Sequence, residues 1–160
     1  MLLGGVFKAT GNASPMAVPL KSKWTAHDLP LWARHYKVPF RRNPHFPINT
    51  LALMRGAVAA EIDGFFERYH PAMYRAMWVE GRNLGDMAEL GAVLSDAGLD
   101  AATIAKRIQD PDVKERLKET TDEAVALGVF GAPTCVVDGQ LYFGNDRLHF
   151  VELALTGKLP

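Results

Sequence analysis

Strand signals at both ends of the chain, with capped helices between them, predict an α/β fold. Three observations carry that expectation. Near the C-terminus, Gly128 and Gly131 end a helix, Pro133 directly precedes Thr134-Cys135-Val136-Val137, and Asp138-Gly139 joins that run to Leu141-Tyr142-Phe143 as a two-residue hairpin signal. Gly144-Asn145-Asp146 then opens a final helix, with Asn145 placed as its cap. At the other end, Met1 to Lys8 reads as a short apolar strand end.

Helix, proline, hairpin and capped helix in that order resemble the C-terminal half of a thioredoxin-like domain. The proline there is usually cis, because X-Pro bonds alone adopt that form at modest cost. Ala9 to Pro19 reads as a loop rich in Gly, Asn, Ser and Pro. Trp24 to Tyr36 reads as a helix with Leu29, Trp32, Ala33 and Tyr36 along one face, ended at Val38-Pro39. Phe40 to Pro47 is irregular. Asn49 or Thr50 caps the next helix, which runs from Leu51 to about Ile62 or further. Phe66, Tyr69, Met73 and Met77 continue at helical spacing, with Phe65 and Trp78 beside them. This aromatic and methionine face reads as core, with a wall for a flat hydrophobic substrate as the alternative.

Asp86 caps Met87 to Ala97 and Gly98 stops it; Asp100 caps Ala101 to Ile108. Asp110-Pro111 starts a long helix to Leu127, with proline at its first position. A two-stranded hairpin is barely stable alone, and its parallel neighbours would need a helical crossover of roughly 30 residues. The chain is therefore expected to begin inside its domain: an α/β, thioredoxin-like fold with a large helical insertion, N-terminally truncated. The thioredoxin-like part is expected at residues 1–20 and 128–160, and the insertion at 21–127, within a single domain.

Composition sets the outer bounds. The chain has 160 residues, 48% of them apolar, with Lys plus Arg and Asp plus Glu balanced at 18 each. That suits one globular domain with a real core. The balance argues against nucleic acid or a membrane surface as the main partner. No apolar run is long enough to span a bilayer, and no signal peptide is visible. One cysteine forms no internal disulfide and points to a reducing compartment, the cytoplasm.

Few residues carry candidate chemistry. The first N–H groups of the last helix favour an anion, and Asp146 beside them is suited to an amine, so Asn145-Asp146 reads as a socket for an amino-acid-like end; the plainer reading is a helix cap. Ala132-Pro133 sets a backbone N–H and C=O where an extended peptide could pair, or is simply a strand-start proline. Asn12 follows the first strand with both a donor and an acceptor, or is a turn asparagine. Cys135 reads as a buried structural thiol, with no His nearby and no Cys-x-x-Cys. His27, His35, His45, His70 and His149 show no metal-ligand spacing. Lys21, Lys23, Arg41 and Arg42 read as a solvated basic face around the first helix, with an anionic substrate as the sharper alternative.

In combination, Leu2-Leu3-Gly4-Gly5-Val6-Phe7-Lys8-Ala9-Thr10-Gly11-Asn12, Trp32-Ala33, Tyr36-Lys37-Val38-Pro39, Gly128 to Thr134 and Phe143 to Leu148 resemble the 2-hydroxychromene-2-carboxylate isomerases. These are relatives of kappa-class glutathione transferases and DsbA-type thioredoxin-like proteins. The resemblance implies glutathione as cofactor, held by Asn12, the Ala132 backbone beside Pro133, and Asn145 with Asp146. It implies a small aromatic substrate, an isomerase of aromatic degradation, and a homodimer as the common assembly. The family's catalytic serine lies on an N-terminal strand and helix that no residue of this chain matches, so no catalytic residue is assigned. A kappa-type transferase is the second reading. A non-catalytic, truncated thioredoxin-like binding protein is the third. Paired cysteines are missing, which disfavours a disulfide oxidoreductase.

Overall fold

Short local signals become helices along most of the chain in the computed structural model, which describes residues 1–159. In chain order these are α1 Leu3–Thr10, α2 Pro19–His35, α3 Leu51–Ile62, α4 Phe66–Arg75, α5 Met87–Asp96, α6 Ala101–Arg107 and α7 Pro111–Ala126. Strands β1 Thr134–Val137 and β2 Gln140–Phe143 and helix α8 Leu148–Leu155 follow. A 3₁₀ turn covers Pro15–Ala17, another Asn145–Arg147, and a π-turn covers Ala76–Glu80. Among the described residues no helix is long and apolar enough to cross a membrane.

The chain divides into two compact units, Met1–Ser14 together with the chain from Lys118 on, and Pro15–Leu117. The second unit is helical, with a core that includes Tyr69, Met73, Leu90, Leu94, Ile104 and Ile108. Its helices start where acidic caps occur. Asp86 accepts from the Ala88 and Glu89 N–H groups at 2.7 and 3.2 Å, and Asp100 accepts from Thr103 N–H at 3.0 Å. The Thr103 bonds hold the Asp100 carboxyl below its usual range. Thr50 occupies the cap position of α3 without a side-chain bond, while Asn49 Oδ1 accepts from Leu51 N–H at 3.0 Å.

Arg107 joins helix ends. Its guanidinium bridges Asp63 (2.9 Å), Asp110 (3.1 Å) and Asp112 (2.7 Å), which lowers the Asp112 pKa and raises that of Arg107. Burial pushes the Tyr69 phenol up, so it stays protonated and donates to the Leu53 carbonyl at 2.9 Å. Gly56 leaves room for that phenol: a Cβ at position 56 would collide with the Tyr69 hydroxyl.

In the first unit the hairpin is antiparallel, pairing Thr134 with Phe143 and Val137 with Gln140. Asp138 (φ 49°) and Gly139 (φ 77°) both lie in the left-handed region, as a two-residue type I′ loop demands. β1 and β2 form the only sheet among the described residues.

Three expectations are corrected. Residues 1–8 are not a strand end: Leu3–Thr10 is a helix, closed by Gly11 in the left-handed region. Val6 is fully buried, Leu2 N–H donates to Thr121 Oγ1 at 2.8 Å, and a Cβ on Gly5 would lie 3.0 Å from the Thr121 methyl. Tertiary packing thus overrides the poor helix propensity of Gly4-Gly5. The loop expected over Ala9 to Pro19 shrinks accordingly, and α2 begins at Pro19 rather than Trp24, with proline at its first turn. Finally, Asn145 is no α-helix cap. It opens a 3₁₀ turn, and α8 starts only at Leu148.

Candidate functional site

Around the hairpin, glycines decide where the chain can go. α7 ends with Gly128 at φ +88°, its N–H on the Val125 carbonyl and Val129 N–H on the Ala124 carbonyl, both at 2.9 Å. Val129 is buried, and Phe130 then packs its ring on Phe143 with centroids 4.6 Å apart. A Cβ on Gly131 would sit 2.8 Å from the Phe143 ring, so glycine lets the chain pass beneath that pair without displacing the ring.

The Ala132-Pro133 peptide bond is cis. Thr134 Oγ1 donates to the Gly131 carbonyl at 2.8 Å, closing the turn, and Gly144 N–H donates to the Pro133 carbonyl at 2.9 Å, extending the ladder past the strands. Ala132 is exposed, and its N–H and C=O have no hydrogen-bond partner among the described residues. In an antiparallel pair, alternate residues turn their polar groups away from the partner strand. Ala132 thus extends the open side of β1.

Asn12 approaches the same turn. Its Nδ2 donates to the Phe130 carbonyl and its Oδ1 accepts from Ala13 N–H, each at 2.8 Å. The amide braces the loop after α1 against the residue two before Ala132, and it is exposed with one N–H still to give. The expected position of Asn12 after a strand is corrected with α1: it follows a helix C-terminus.

On the opposite flank, Asn145 is partly buried. The Asp146 carboxylate pairs with Arg147 at 3.0 Å while about half exposed. The anion socket expected at an α-helix N-terminus is instead a 3₁₀ turn, in which Arg147 N–H returns to the Gly144 carbonyl at 3.1 Å. Gly144 sits at φ +105°, where a residue with a side chain would be strained.

The structure therefore brings the sequence-chosen residues together. Asn12 is tied to Phe130, Ala132 and Pro133 follow, and Pro133 is tied to Gly144 beside Asn145 and Asp146. Sequence reasoning missed Thr134, whose hydroxyl closes the turn, and the Phe130–Phe143 pair. The aromatic residues facing each other across Gly131 were the available signal. Cys135 is half-buried rather than buried, because a two-stranded hairpin cannot cover both of its faces. Lys21 and Lys23 lie within α2 instead of flanking it, and Arg41 and Arg42 follow it; all four are exposed. Among the described residues no three His, Cys, Asp or Glu side chains are grouped to hold a metal ion.

Comparison with known proteins fits this geometry to a family. The DsbA-like thioredoxin domain matches residues 1–156. The chain is 30% identical to human glutathione S-transferase kappa 1, over 98% of this chain and 76% of that one. It is 33% identical to a 2-hydroxychromene-2-carboxylate isomerase of Sphingobium xenophagum, over 90% of this chain and 74% of that one. The solved structure of a 2-hydroxychromene-2-carboxylate isomerase superposes with a TM-score of 0.79 at 26% identity, over 97% of this chain and 76% of that one. The matched span and the identity to these relatives make this chain a member of the DsbA-like thioredoxin-domain family.

Proposed function

We propose that this chain binds glutathione along the Ala132-Pro133 turn and acts as a glutathione-dependent isomerase of the 2-hydroxychromene-2-carboxylate type, on a small aromatic substrate in the cytoplasm. The observation that carries the reading is the exposed, unpaired backbone of Ala132 beside Pro133 at the open side of β1. An N–H and a C=O displayed together pair with the backbone of an extended peptide, and glutathione is such a peptide. Its α-amino end would meet the Asp146 carboxylate, with Asn145 beside it. Asn12 would hold the loop after α1 and offer its spare N–H.

When bound, glutathione would supply a nucleophilic thiol whose reversible addition to the unsaturated substrate would permit bond rotation without consuming it. The chain's own contribution is to orient: a backbone pair at Ala132 fixes the peptide's direction, and the Phe130–Phe143 pair forms an apolar floor beneath it. We read the whole chain as one domain, with its thioredoxin-like part at 1–20 and 128–160, its helical insertion at 21–127, and a homodimer as its assembly.

A kappa-type transferase is the second reading, favoured by the similar identity to kappa relatives, 30% against 33%. Calorimetry with reduced glutathione tests the shared premise: saturable binding is expected, and its absence would sink both readings. Product analysis then separates them. Rearranged substrate with glutathione recovered means isomerase, whereas a stable conjugate means transferase.

A further inference from the structure

We propose that the outer side of α2 is a docking surface for an anionic phospholipid bilayer. The balanced total charge hides a segregation along the chain. Residues 15–50 carry six Lys or Arg against one acidic residue, Asp28, while the remainder carries twelve against seventeen. All six cations, Lys21, Lys23, Arg34, Lys37, Arg41 and Arg42, are exposed. A basic segment of this kind is drawn to a negatively charged lipid surface, by roughly fivefold in affinity for each cation held near it.

α2 is apolar on two sides. Ala26, Pro30 and Ala33 are partly buried and form one of them. Leu20, Trp24 and Leu31, spaced by four and seven residues, share the other, because the helix turns every 3.6 residues. They are 79%, 63% and 42% exposed, and no residue of the helix is buried. The two indoles of α2 differ accordingly. Trp32 stacks on Tyr36 at 5.6 Å and meets the edge of His35 at 5.5 Å. Trp24 has no ring or hydrogen-bond partner among the described residues.

Lys23 and Arg34 border the exposed stripe on one side and Lys21 on the other, as helical spacing requires. A bilayer interface satisfies all of these groups together. The leucines enter the acyl boundary, the indole sits at headgroup level with its N–H hydrated, and the long basic stems reach the phosphates. Nucleic acid would leave the leucines in water, and a second copy laid on the same stripe would set Lys against Lys. Every residue used belongs to the helical unit, so the inference does not rest on the glutathione reading.

The probe is vesicles of phosphatidylcholine with about a quarter phosphatidylserine, mixed with the full chain without glutathione. Pure phosphatidylcholine vesicles are the control. Flotation is expected to carry the protein with the anionic vesicles and to leave it behind with the neutral ones. Tryptophan emission should shift to the blue on binding, and Trp24→Phe should remove that shift while flotation persists. Leu20→Ser with Trp24→Ser should weaken binding about tenfold or more. Lys23→Gln with Arg34→Gln should weaken it roughly 25-fold. All four residues are exposed, so melting temperatures should hold in both double variants. No flotation, equal flotation with neutral vesicles, or unchanged flotation in either double variant would overturn the proposal. So would a DNA duplex bound in place of the vesicles, or a dimer in sedimentation that Trp24→Ser dissociates and vesicles do not. The occupant would then be nucleic acid or a second copy of the chain.

Discussion

The helical core and the hairpin treat their apolar residues differently. In the core Tyr69, Leu90, Leu94, Ile104 and Ile108 all lie below a tenth exposed, packed among α3 to α6. In the hairpin and its flanks Phe130, Val136, Leu141, Phe143 and Leu148 remain more than a third exposed. Its shape is held by other means: glycines that admit close approach, and hydrogen bonds from Asn12 and Thr134. A packed unit resists change through volume, and an exposed hairpin through geometry. Stability and affinity should accordingly respond to different substitutions.

The largest expected effect lies in the packed unit. Leu94→Ala should cost about 3 kcal/mol in urea unfolding, because the surrounding helices cannot close the void. Glutathione affinity per folded molecule should not move. A loss of affinity there would break the separation between the two units. Asp146→Ala should do the reverse. It should weaken glutathione about tenfold, as one charge-assisted contact does, while the melting temperature holds, since an exposed pair with Arg147 contributes little. Unchanged affinity would remove Asp146 from the site.

Smaller effects refine the picture. Asp86→Ala removes the bonds to Ala88 and Glu89 N–H and should cost about 1 kcal/mol. Circular dichroism melts read this directly. Lowering pH should loosen the helical unit. Asp100 and Asp112 both have pKa values lowered from 3.8 by their hydrogen bonds to Thr103 and Arg107. A carboxyl lowered in the folded state stabilises above its unfolded value and loses that contribution as pH falls through its folded value. Stability should therefore hold down to about pH 4 and decline below it. Asp112→Asn should flatten the decline, and an unchanged profile would remove Asp112 from its cause.

What could be read in the sequence was local. Asp86, Asp100, Gly98 and Asp110-Pro111 announce helix ends because caps act within one turn. Asp138-Gly139 announces the hairpin because two left-handed residues determine its loop. The turn at Ala132-Pro133 and its neighbours were legible for the same reason. α1 was not, since Leu2-Leu3-Gly4-Gly5 has weak helical propensity and becomes helical through contacts with Thr121, far along the chain. The π-turn at Ala76–Glu80 was hidden as well. Its stability rests on Asn43 and Arg41, which no periodicity connects to Trp78. Asn145 misled because a capping residue type occupies the start of a 3₁₀ turn instead.

The central claim is that glutathione pairs with the backbone at Ala132. Amide NMR during a titration with reduced glutathione tests it most directly. The account predicts saturable shifts centred on Ala132, Thr134, Asn145 and Asp146, with the helical unit unmoved. Shifts that never saturate, or that fall elsewhere while these amides stay still, would contradict it.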